Sequence, residues 1–230
     1  MTLAVRKRIA PPGRRGRPSA VEPEEEGTRE RILTVAERLF AERGFNGVSL
    51  RTLTAEAGVN LASVGYHFDS KEGLIAAIFD RRCRPMMQER LRLLAACAEG
   101  PGRPPMLEQI IEAFVLPAIS QTADVAGGGA TFTRLRAVLR HENSELARKL
   151  IAENFDETSA RFVDALHRCL PRLSRDAIHW RFHFLLSALY YTTIDPGRIR
   201  HLSGGCCDPA DTKVAVRELV RFVAAGFRAD

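Results

Sequence analysis

From Thr28 onward the chain repeats apolar residues at helical spacing, and no stretch alternates apolar and polar residues long enough to form a strand. Thr28 is placed to cap a first helix whose Ile32, Leu33, Ala36, Leu39 and Phe40 share one face until Gly44 ends it. Ser49 opens a short second helix through Leu50, Leu53 and Ala57. Gly58 supplies a left-handed turn residue, and a third short helix follows from about Asn60 or Leu61 to about His67. Two short helices joined by a glycine-containing turn have the form of a DNA-binding helix-turn-helix, although the pattern alone does not separate it from any other helical hairpin.

A fourth helix is predicted from Lys71 to about Cys97, kinked or restarted at Pro85. The run from Gly100 to Pro105 is the strongest linker signal. Five further helices are expected at about 106–122, 131–142, 145–170, 174–193 and 209–228, with Pro117 bending the first of them. The fold class is therefore all-α.

Charge changes this picture at one end. The net charge is +6, from 34 Lys+Arg against 28 Asp+Glu, and residues 1–21 hold Arg6, Lys7, Arg8, Arg14, Arg15 and Arg17 with no acid. Such a segment is too poor in apolar residues to offset its ordering entropy, so it is expected to be a disordered arm. Arg15 and Arg17, in Arg-Gly-Arg-Pro, suit either insertion into a narrow minor groove or general attraction to phosphate. No apolar run reaches the length of a membrane span, and no apolar segment follows the basic start, so a cytoplasmic protein is expected. The five cysteines show no C-x-x-C spacing and are read as reduced thiols. No nucleophile elbow, zinc-protease motif or phosphate-binding glycine loop occurs. Neither catalytic residues, a metal nor a cofactor is expected.

Residues 44–79 carry Gly44-Phe45 and Gly47, Ser49, Ala55-Glu56-Ala57-Gly58-Val59, Tyr66-His67-Phe68 and Ser70-Lys71-Glu72 before Leu74. This ordered set resembles the DNA-binding domain of the TetR family of transcriptional regulators. The resemblance implies that residues 61–67 form the recognition helix and that Lys71 meets the phosphate backbone. The residue types agree, since Leu61, Ala62, Ser63, Gly65, Tyr66 and His67 include no acid, and Ser63, Tyr66 and His67 carry donors. Ser49 and Arg51 complete the candidate DNA-binding set. Val59, Val64 and Phe68 are assigned to the core. Gly65 departs from the family pattern, in which Tyr or Asn is frequent, and costs about 1 kcal/mol of helix stability.

The C-terminal half is similar to the PsrA/CecR-type subgroup of the same family, through Leu116-Pro117-Ala118, Trp180–Leu185 and Leu202–Gly205 with Cys207-Asp208-Pro209. That likeness implies a small, acyl-type effector. Phe114, Phe132, Phe155, Phe182 and Leu186 are candidates to line its apolar cavity, with Arg136, His183 or Tyr190 holding a polar head group. The stripe Val216, Leu219, Val220, Val223 and Phe227 faces its own domain or, with Trp180 and Phe184, a second copy; the resemblance implies the latter.

The organisation expected is thus a basic arm (1–27), a three-helix DNA-binding domain (28–75) and a helical ligand-binding and dimerisation domain (76–230). The corresponding function is a homodimeric repressor of double-stranded DNA released by an unidentified small molecule. The alternative is an architectural protein that binds DNA non-specifically through its arm.

Overall fold

A computed structural model describes residues 23–98, 106–142, 144–194 and 197–229, and every regular element among them is helical. The arm with Arg15 and Arg17, and the linker at 100–105, lie outside the described residues.

Helix α1 (Pro23–Arg43) begins five residues before the expected Thr28. Proline suits a first helical position, where its missing N–H loses nothing. Its apolar stripe Ile32, Leu33, Ala36, Leu39 and Phe40 is fully buried. Helix α2 (Leu50–Ala57) starts at Ser49, whose side chain accepts the Thr52 N–H at 3.0 Å. It ends at Gly58, whose φ of 64° lies in the left-handed region that favours glycine. Helix α3 (Leu61–Phe68) is capped by Asn60, which accepts the Ser63 N–H at 2.8 Å. The turn between α2 and α3 is thus fixed by a glycine and a side-chain cap, both visible in the sequence.

Helix α4 (Lys71–Ala98) passes through Pro85 as one element rather than restarting there. It places Leu74, Ile75, Ile78 and Phe79 in the N-terminal core and Met86 and Met87 in the C-terminal one. The C-terminal region continues with α5 (Leu107–Ala123), α6 (Gly129–Glu142), α7 (Glu145–Cys169), α8 (Arg175–Ile194), the short α9 (Arg198–Leu202), which was not foreseen, and α10 (Thr212–Arg228). Residues 28–75 do not close the N-terminal core alone. Phe79 of α4, Phe132, Leu135 and Leu139 of α6, and Ala147 and Leu150 of α7 complete it.

An ion-pair cluster ties α1 to α4. Glu37, only 2% exposed, accepts from Arg81 at 2.5 Å and from Arg82 Nε at 2.9 Å. Arg82 also donates to the Gly127 carbonyl in the α5–α6 turn. At the far end of α6, Glu142 accepts the Phe45 N–H at 3.0 Å.

One expectation is corrected here. Val216, Leu219, Val220, Val223 and Phe227 of α10 are buried within their own chain, in the same cluster as Ile110, Phe114 and Phe182. Helix α10 packs on α5 and α8, so its stripe completes the C-terminal core and is not a surface for a second copy. Trp180 and Phe184 stay exposed, as do Tyr191 of α8 and Phe222 of α10.

Candidate nucleic-acid interface and cavity

Helix α3 buries Val64 and Phe68, four residues apart, and thereby turns its other side outward. Leu61 is 52% and Tyr66 73% exposed, and Ala62 and Gly65 are exposed beside them. Val59 is half-buried against the same core. No acid lies on α3, and a Cβ built at Gly65 meets nothing within 4 Å. The face is therefore smooth, uncharged and open to close approach. Since space and backbone both permit a side chain there, Gly65→Ala is expected to stabilise the protein by about 1 kcal/mol, measurable in urea denaturation.

The candidate DNA contacts differ in availability. Arg51 on α2 is exposed and pairs with no acid among the described residues, whereas Arg38 and Arg43 are both held by Glu56. Ser49 spends its hydroxyl on capping α2 and on Thr52 Oγ1 at 2.8 Å. The Ser63 hydroxyl donates to Asn60 Oδ1 at 2.9 Å, leaving its lone pairs for a partner. His67 is half-buried, and its ring meets Tyr66 edge-on at 5.0 Å between centroids.

Lys71 is half-buried at the start of α4. Its ammonium donates to the Phe45 carbonyl and sits 4.3 Å from the Phe45 ring centroid. Burial lowers its pKa. The cation fastens the start of α4 to the α1–α2 turn, and Ser70 caps that helix by accepting the Gly73 N–H at 2.9 Å.

A cavity of about 170 Å³ lies among α4, α5, α6, α7 and α8. Phe114, Arg136, Phe155, Leu186 and Tyr190 line it as expected. Phe132 and Phe182 lie behind that wall, packed on Phe79 at 5.3 Å and on Phe114 at 5.1 Å between ring centroids. His183 is exposed against Trp180 and Phe184, so its expected place in the cavity is wrong. It shares an angular position on α8 with Tyr190 but stands two turns away, about 10 Å along the axis.

The residue that sequence reasoning missed is Arg90. It is 3% exposed and lines the same cavity. Its Nε donates to the Phe114 carbonyl at 2.8 Å, and its guanidinium lies 3.8 Å from the Phe114 ring centroid. Burial, with the field of Arg136, pulls its pKa down to about 9, which still leaves it cationic at neutral pH. A signal was available: Arg90 interrupts the stripe Met86, Met87, Leu94, Cys97 that otherwise marks the inward face of α4.

A capped helix-turn-helix with an exposed, acid-free second helix, mounted on a larger helical body with an internal cavity, defines the class of helix-turn-helix regulators. Comparison with known proteins specifies the family. Residues 32–78 match "Bacterial regulatory proteins, tetR family", and residues 112–226 match "Tetracyclin repressor-like, C-terminal domain". The chain belongs to the TetR family, whose members are transcriptional regulators and not enzymes.

Among curated relatives, it is 38% identical over 86 residues to the HTH-type transcriptional repressor BepR of Brucella suis biovar 1 (strain 1330), covering 37% of this chain and 40% of BepR. It is 30% identical over 92 residues to the transcriptional regulator UidR of Escherichia coli (strain K12), covering 40% of this chain and 43% of UidR. These matches thus span about two fifths of the relatives' length. Among solved structures, the fatty acid degradation regulator FadR from Bacillus halodurans superposes with a TM-score of 0.63 at 16% identity, covering 92% of this chain and 100% of FadR. At so low an identity the superposition establishes a shared fold alone. No helix among the described residues is long and apolar enough to cross a membrane.

Proposed function

We propose that this protein is a cytoplasmic repressor that binds a pseudo-palindromic operator as a homodimer and releases it when a small effector fills the cavity. The observation that carries this reading is the outward face of α3: Leu61, Ala62, Gly65 and Tyr66 are exposed on a helix held by caps at both of its neighbours, without an acid to repel DNA. Its role is to lie in the major groove, with Tyr66 and His67 at base edges or phosphates and Leu61 and Ala62 in apolar contact with base surfaces. Arg51 neutralises backbone phosphate, and Ser49 approaches the same strand at the start of α2.

The second copy is held through α8 and α10 by their outward residues Trp180, Phe184, Tyr191 and Phe222, which are large, apolar and uncovered in one chain. Two physical routes join cavity and DNA face. Helix α4 runs from the Lys71 anchor to Arg90, and α6 runs from Arg136 to the Glu142 contact with Phe45. An effector that shifts either helix changes the spacing of the two recognition helices, and by linkage DNA weakens effector binding by the same factor.

In vitro selection from random duplexes tests the reading. The expected product is an inverted repeat bound by two chains, with half-site centres about 34–36 Å or a multiple of one turn apart. Enrichment of no sequence, with equal affinity for every duplex, would contradict it.

A further inference from the structure

Three arginines line the cavity; Arg140 of α6 is exposed over the Tyr190 ring, 5.0 Å from its centroid, and the other two reach further in. Arg90 of α4 and Arg136 of α6 both line it, and among the described residues neither faces an acid. Arg136 instead lies over aromatic rings, 5.1 Å from the Phe155 centroid and 5.9 Å from that of Phe132. Cys83 is close to both cations, but burial pushes its thiol up to about 12, so it stays protonated and supplies no negative charge. Asp156, the acid that borders the cavity, is exposed at its rim and forms no ion pair with a described residue. Buried charges are ordinarily paired, because an unpaired one forfeits its hydration. Here the buried Arg90 and the half-buried Arg136, with Arg140 at the edge, share one small chamber whose remaining walls include Phe79, Phe114, Phe155, Leu186 and Tyr190.

From this arrangement we infer that the effector is a compact organic monocarboxylate, its acid group set between Arg90 and Arg136 and its body, of the size of a single aromatic ring, against the phenylalanines. The inference rests on the effector reading above and gives it a chemical class. Size follows from the cavity: about 170 Å³ is slightly more than the ~150 Å³ that admits a benzene molecule, which leaves room for a ring and a carboxylate but not for a long chain. Charge follows from the two cations. Arginine is suited to the task because its planar fork meets both carboxylate oxygens. The Arg90 Nε is already fixed by the Phe114 carbonyl, which aims the rest of the fork before any ligand arrives. Pro117 leaves the neighbouring Ala113 carbonyl, one residue from the Phe114 carbonyl that holds Arg90, without its helical donor.

The experiment is thermal unfolding of the full chain with benzoate, its neutral isostere benzamide, and dodecanoate, each at equal concentration, repeated on Arg136→Met. Benzoate about a hundredfold above its dissociation constant is expected to raise the wild-type midpoint by about 5–10 °C, with benzamide and dodecanoate giving less than a third of that shift. Arg136→Met is expected to melt at or above the wild-type temperature without ligand, because it removes a half-buried cation that pairs with no acid among the described residues, and to lose the benzoate response. No benzoate shift up to ~10 mM, at which even a ~1 mM site would be about nine-tenths filled, an equal shift with benzamide, a larger one with dodecanoate, or an undiminished response in Arg136→Met overturns the inference. Should Arg136→Met fail to fold, Arg136→Lys replaces it, with weakened benzoate binding expected and unchanged binding contradicting the role of the fork. Operator binding is measured on the same samples. Benzoate binding without release of DNA leaves the chemical class standing and refutes the release mechanism, whereas specific DNA binding with no carboxylate response does the reverse.

Discussion

Glu37→Ala is expected to destabilise the protein by about 3 kcal/mol and to lower its melting midpoint by about 6–12 °C. The carboxylate is nearly inaccessible and receives Arg81 at 2.5 Å and Arg82 at 2.9 Å. Its removal leaves Arg82 with only the Gly127 carbonyl and Arg81 with only the exposed Glu30, 2.9 Å away, and Thr34, while the two guanidiniums face each other across the space it vacates. Both arginine side chains are 21% exposed and recover part of their hydration, which is why the lower end of the range for broken buried pairs applies. Glu37→Gln keeps the shape and loses the charge, and is expected to fall between the two. Differential scanning calorimetry of the three proteins decides the matter. A loss below about 1 kcal/mol for the alanine variant would place this cluster among surface ion pairs, which contribute little. The cluster also joins α1 to α4 and, through Arg82, to the Gly127 turn, so the variant should loosen the relation between the DNA face and the cavity.

Tyr66→Ala should weaken operator binding by about tenfold to a hundredfold, the range lost with one good side-chain contact to a base pair, while leaving the melting midpoint within about 2 °C of wild type. The second half of that expectation rests on exposure: at 73% accessible, the ring contributes little to the core of an isolated chain. Lys71→Ala provides the contrast. Because its ammonium is engaged with the Phe45 carbonyl and lies beside two rings, its loss acts on the fit of α4 against the α1–α2 turn. Fluorescence anisotropy with operator and scrambled duplexes separates the two variants, since Tyr66→Ala alone is expected to reduce affinity without thermal loss.

The sequence displayed the N-terminal domain well because its determinants are local. Ser49, Gly58 and Asn60 act within three or four residues of themselves, and Ile32 to Phe40 bury a face that periodicity marks directly. What the sequence left open were questions of partnership. The α10 stripe gave the correct buried face, but an apolar face does not state whether it meets its own chain or a copy, and α5 and α8 occupy it here. His183 matched Tyr190 in angle while differing in height, a distinction that needs the cavity's position along α8. Neither Glu37 nor Arg90 was among the candidate residues. Their burial depends on α4 meeting α1 at one end and α5 at the other, contacts between residues 24 to 45 positions apart. Lys71 carried the right residue type for phosphate, and its tie to the Phe45 carbonyl is a contact the sequence does not display.

The central claim is that the exposed side of α3 lies against base pairs in two copies at once. Photo-crosslinking from a benzophenone group attached to the Tyr66→Cys variant, with the native thiols replaced and the selected operator as target, tests it most directly. The account predicts adducts on major-groove bases at two symmetry-related positions about one helical turn, 34–36 Å, apart. Adducts confined to protein, or scattered along the duplex without a preferred base, would contradict it.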